Sequence, residues 1–167
     1  FVAPSILMMD YHKALKASLQ TVIDEFTMPG GALERLAKLP DKTANIEKLV
    51  PNKFMVKPLL DFWHGCIETN GTGGSGFRNF FRDYLLEMNR ELKKDAIATT
   101  AADVDNACRK WNALTLEYKN LAQKINKYIN DQSQRESFYR DAAQKAKEVF
   151  EVEDKMIKSL ESLYKVL

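Results

Sequence analysis

Residues 104–128 read VDNACRKWNALTLEYKNLAQKINKY. Val104, Trp111, Tyr118 and Ile125 recur every seven residues, and Ala107, Leu114, Leu121 and Tyr128 follow each of them by three. This pattern lays a continuous apolar stripe along one side of a helix over 101–130, about 45 Å long at about 1.5 Å rise per residue. Its rings are too bulky for a tight two-stranded zipper. They suit a three- or four-helix bundle, where the gaps between helices are wider and uneven.

Working outward, the polar run Asn130-Asp131-Gln132-Ser133 reads as a hinge, and a second heptad row then begins. Ala142, Val149, Met156 and Leu163 repeat every seven residues, beside a row of Ala146, Leu160 and Leu167 that Glu153 interrupts. Phe138 and Phe150 add bulk, and the mixed charges between these rows mark a solvated outer face, so a helix is expected over 134–166. On the other side, Phe77, Phe80, Phe81, Tyr84, Leu85, Met88 and Leu92 share one face of a helix over 77–94, opposite Arg78, Arg82, Asp83, Glu87, Arg90 and Lys93. Thr100 is the expected N-cap of the central helix, with Asp103 and Asp105 in its first turns complementing the dipole. Three long helices joined by short polar turns predict an antiparallel, up-down-up arrangement.

All 5 prolines and all 7 glycines fall at or before position 76. Proline costs about 3 kcal/mol and glycine about 1 kcal/mol inside a helix, so 77–167 favours long helices and the first part favours short ones. The expected N-terminal elements are a helix capped by Ser5 and running to about Phe26, with Leu7, Tyr11, Leu15, Leu19, Val22 and Phe26 facing inward. Short helices over 32–39 and 44–50 follow, ending before Pro40 and Pro51. A last helix, from Lys53 or Pro58 to Thr69, buries Leu59, Leu60, Trp63, Cys66 and Ile67. A set of this size cannot close a core alone, so it is expected to pack on the second half. The organisation predicted is an N-terminal helical segment over 1–69, a flexible Gly/Ser linker over 70–76 and a three-helix segment over 77–167. The linker Asn70-Gly71-Thr72-Gly73-Gly74-Ser75-Gly76 has the composition of a spacer introduced to fuse two segments. A phosphate-binding loop would need a strand before the glycines and a Lys after them, and Phe77 stands there instead.

The 167 residues are 45% hydrophobic and 29% charged, which fits a folded all-α domain. The charge sum, 25 basic minus 23 acidic, is +2 and points to no nucleic-acid partner. The halves are equally balanced: 1–69 carries eight charges of each sign, and 77–167 carries 17 basic against 15 acidic. Only 2 cysteines are present, which fits a reducing, cytoplasmic setting and no disulfide framework. The chain opens Phe1-Val2-Ala3-Pro4 without an initiator Met and reads as an excised segment. Neither a signal peptide nor an apolar run near the roughly 20 residues of a spanning helix is visible.

Chemistry is not expected. On a helix, His64 and Cys66 point about 200° apart and cannot share an ion or a proton. Cys66 falls in the apolar row and Cys108 beside Ala107, both as small hydrophobes, and His12 lies on a solvent face. No Glu-x-x-His pair or nucleophile elbow occurs, so catalytic, cofactor and metal sites are all expected to be absent. The predicted function is a non-enzymatic helical-bundle interaction module, an adaptor, scaffold or complex subunit with a helical protein partner, and self-association is compatible with the heptads. The alternative is a lipid- or membrane-surface module built on Phe77, Phe80 and Phe81 with Arg78 and Arg82 flanking. Candidate interaction residues are Phe77, Phe80, Phe81, Trp63 and Trp111.

Overall fold

In the computed structural model of the chain, residues 10–68 and 74–167 are described, the side chains of 74–76 excepted. They form seven α-helices with no strand among the described residues: α1 Tyr11–Thr27, α2 Ala32–Ala37, α3 Leu39–Ala44, α4 Val56–Glu68, α5 Gly74–Leu92, α6 Asp95–Lys124 and α7 Gln132–Val166. The antiparallel bundle predicted from the heptads is present in α5, α6 and α7. Cross-helix pairs run in opposite directions: Arg78 meets Trp111 and Arg82 meets Asp105 where α5 faces α6, while Lys110 meets Glu148 and Asp103 meets Lys155 where α6 faces α7.

Helix ends depart from expectation for local reasons. The central helix starts at Asp95, six residues before 101, and Thr100 is a buried interior residue whose hydroxyl donates to the Ala96 carbonyl (2.9 Å). The chain reverses at Lys93, in the left-handed region at φ 51°, and the Asn89 side chain accepts from Lys94 N (2.9 Å). At its far end α6 tightens into a 3₁₀ turn, Ile125–Tyr128. Helix α5 begins at Gly74, three residues inside the predicted linker; the first turn of a helix makes few intrahelical bonds and tolerates glycine there. Residues 70–73, the rest of that linker, lie outside the described residues, as do Ser5, Leu7 and Thr69, the expected end of the preceding helix.

The N-terminal part is more broken than predicted. Asp10 caps α1, accepting from Lys13 N (3.0 Å), and Leu15, Leu19 and Ile23 form its buried face, with Tyr11, Val22 and Phe26 half-buried. Pro40 opens α3 instead of closing a helix, because a first-turn residue has no intrahelical N–H partner to lose. The helix expected over 44–50 is a 3₁₀ turn, Ile46–Leu49, and a second short turn, Lys53–Met55, leads into α4. In α4 it is Val56 and Leu60 that are fully buried; Leu59, Trp63, Cys66 and Ile67 are half-buried.

As expected, the halves share a core, which falls into two apolar lobes. One joins α1 and α5 to Ile97, Ala101, Val104 and Ala107 of α6 and to Met156, Ile157, Leu160 and Leu163 of α7. The other joins Ile46, Val56 and Leu60 to the later part of α6 and to Tyr139, Ala142, Ala146 and Val149 of α7. On α7 the lobes meet between Val149 and Met156. Glu153 stands at that seam, where the apolar row was interrupted.

Candidate functional site

Three of the five candidate interaction residues converge. Trp63 of α4, Phe77 of α5 and Trp111 of α6 line one open cavity of about 690 Å³, together with Phe26, Leu36, Leu39, Ile67 and Tyr118. Its wall draws on α1, α2, α3 and α4 from one half and α5 and α6 from the other, so the site exists only because the halves pack. The remaining two candidates part company. Phe81 is buried in the first lobe at 8% exposure, stacked on Phe77 with ring centres 6.2 Å apart, whereas Phe80 is 78% exposed. Residues 77 and 81 lie one turn apart on the inward stripe, while residue 80 is rotated off it.

Two of the large rings of the wall, Tyr118 and Trp111, have their polar ends bonded to other side chains. Trp63 and Tyr118 meet at 5.4 Å between centres. The Thr43 hydroxyl donates to the Leu39 carbonyl (2.9 Å), so the Tyr118 hydroxyl, 2.8 Å away, donates to Thr43. Burial holds the Tyr118 phenol far above its ordinary pKa, and it stays protonated across the working pH range. The Trp111 indole N–H donates to Glu153 Oε1 (2.8 Å). Arg78 Nε donates to the same oxygen, and its guanidinium lies over the Trp111 ring, 5.0 Å from the centroid. Glu153 is fully buried and Arg78 is 7% exposed; Glu153 Oε2 has no hydrogen-bond partner among the described residues. This ion pair and indole fill the seam between the lobes and back the cavity. Arg78 was assigned to the outer face, yet it shares the stripe of Phe81, Leu85 and Met88, a signal legible in the spacing.

A second polar knot fastens the 46–49 turn to α7. Arg135 donates from Nε to Glu47 Oε1 (2.6 Å) and from Nη1 to the Ile129 carbonyl (2.6 Å), and the Tyr139 hydroxyl also donates to Glu47 Oε1 (2.9 Å). The Arg135 hydrogen bond, aided by that of Tyr139, holds the Glu47 carboxyl below the usual glutamate range against the opposing effect of burial. Every member is spent within the knot, which makes it a fastening and not a reactive group.

His12 is exposed, Cys66 is half-buried on the cavity wall, and Cys108 is buried, its thiol donating to Asn79 Oδ1 (3.1 Å). Burial pushes the Cys108 thiol up, away from the thiolate a nucleophile needs. Among the described residues no group of three His, Cys, Asp or Glu side chains stands close enough to hold a metal ion, and no helix is long and apolar enough to cross a membrane. Apolar side chains other than Phe80 also stand exposed: Leu49, Phe54, Met55 and Phe62 cluster in sequence around the start of α4.

A protein-family model described as Domain of unknown function (DUF4872) matches residues 10–160, and the chain belongs to that family. The matched span takes in both halves and the glycine-rich stretch between them. No curated protein and no solved structure matches the chain.

Proposed function

We propose that this family domain is a non-enzymatic helical interaction module that docks another protein through the outward turn of α5 around Phe77 and Phe80. The observation that carries this reading is the exposure of Phe80, 78%, beside Phe77 at 48%, on a helix whose other rings are packed inward. A phenyl ring so placed contributes little to the fold and much to an interface, where aromatic anchors dominate the binding energy. The surroundings favour a protein over an anionic lipid surface. Arg78 is buried on Glu153, and Arg82 bridges Asp83 and Asp105, so the two cations that would flank an inserting edge are already engaged. Paired charges around an apolar centre make the polar rim of a protein interface. The partner chemistry is an amphipathic helix offering two apolar side chains one turn apart.

Selecting a displayed peptide library on the immobilised domain tests this. Enriched peptides should carry paired apolar anchors and bind the Phe80→Ser variant at least tenfold more weakly, with its helicity unchanged. Absence of enrichment, or equal binding by Phe80→Ser, counts against the proposal. Salt-sensitive co-sedimentation with anionic vesicles, lost in Phe80→Ser, would replace the protein partner with a lipid surface. Concentration-dependent dimerisation lost in the same variant would replace it with a second copy of the chain.

A further inference from the structure

The cavity between the two halves shares Phe77 with the docking turn of α5 but has a chemistry of its own. Its volume of about 690 Å³ lies within the range of sites that enclose small molecules, about 300–1,000 Å³. The polar ends of two of its rings are spoken for. The Tyr118 hydroxyl is bonded to Thr43, and the Trp111 N–H and Arg78 Nε both reach Glu153, so Trp111 and Tyr118 offer ring surface to the interior, beside Trp63. Leu36, Leu39 and Ile67 complete an aliphatic side. The wall also carries the exposed Glu25 and Arg35, one charge of each sign, and Arg78, whose charge is paired with Glu153, so no net charge selects for anions or cations.

We infer that this cavity is a binding site for an uncharged, predominantly apolar small molecule, aromatic or aliphatic, held by ring contact and burial with few hydrogen bonds. Water finds few partners in such a wall, whereas a guest of matching polarity gains the burial of its own surface; a much smaller apolar cavity is enough to take up an aromatic guest. Aromatic walls add the preference for offset and edge-on ring contact.

The molecule carries its own reporter, because both of its 2 tryptophans line the cavity. Titration with the neutral probe N-phenyl-1-naphthylamine, exciting tryptophan, should show saturable energy transfer at one probe per chain. Two variants that fill the space, Ala32→Phe and Leu36→Phe, should weaken binding at least tenfold while keeping native helicity and Tm. Phe62→Ser, which removes an exposed ring elsewhere, should leave it unchanged. The single-tryptophan variant Trp63→Phe should still transfer from Trp111 at the same saturation point, a readout that does not depend on whether the filled variants fold. Non-saturating transfer, full binding in a folded space-filling variant, loss of binding in Phe62→Ser, or no transfer from Trp111 would each overturn the inference. None of these readouts involves a protein partner, so the reading of Phe80 and that of the cavity fail separately.

Discussion

Replacing Glu153 by Ala removes a shared acceptor from two donors at once. The Arg78 guanidinium, 7% exposed, loses its carboxylate, and the Trp111 indole N–H loses its acceptor. Removing one member of a buried ion pair costs about 3–5 kcal/mol, and an unsatisfied buried donor about 1–3 kcal/mol. The two losses share one carboxylate and will not add fully, so the expected destabilisation is at least about 3 kcal/mol, against a total of about 5–15 kcal/mol for a domain. The double variant Arg78→Met with Glu153→Leu removes both charges and keeps comparable volume. Only the indole N–H is then left unpaired, and the cost should fall to about 1–3 kcal/mol. Urea melts followed by far-UV circular dichroism on the four proteins of the cycle give the coupling directly, provided the m-value stays constant. If Glu153→Ala costs less than about 1 kcal/mol, or if the double variant is as unstable as the two singles summed, the seam is not the closed ion pair described above.

Other expectations use the same melts. Trp111→Ala should cost about 3–5 kcal/mol, since that ring is 8% exposed and bridges the cavity wall and the seam; a cost under about 1 kcal/mol would mean the site collapses freely. Gly31→Ala places a Cβ 2.6 Å from the Met28 carbonyl and 2.7 Å from that of Phe26, both backbone atoms, and should lose about 1–3 kcal/mol; an unchanged Tm would refute the close approach. Glu47 has a folded-state pKa below its unfolded one, so its contribution is present at neutral pH and disappears as pH falls below about 4.3 and through the folded value. Glu47→Gln should therefore flatten the acid limb of stability against pH, and an identical limb in both proteins would exclude the Arg135 contact as its source.

The heptad rows were legible because period alone fixes which side of a long helix is apolar. Val104, Trp111, Tyr118 and Ile125 are all buried, as are Ala142, Val149, Met156 and Leu163. Helix ends were less legible, since they depend on which of several competing polar groups captures a free backbone N–H. Thr100 has the better N-cap side chain, yet Asn89 reaches forward to Lys94 and lets α6 start earlier at no cost in apolar burial. Pro40 is ambiguous by nature, because proline can end one helix or begin the next. The candidate aromatics were identified by type, but their separation into cavity wall, core and surface depends on how α4 and α5 approach each other, which no local pattern encodes. Glu153 was visible as a gap in a row. That the gap is filled by Arg78 and Trp111, 75 and 42 positions away, is a property of the packed bundle.

Helix α7 runs 35 residues without interruption and lends side chains to both lobes. It contributes no residue to the cavity wall, yet Glu153 is the point at which it grips α5 and α6 together. Whatever occupies the cavity presses on Trp111 and through it on that point, so its arrival should register as slowed amide exchange far along α7, beyond Met156, where no guest can reach.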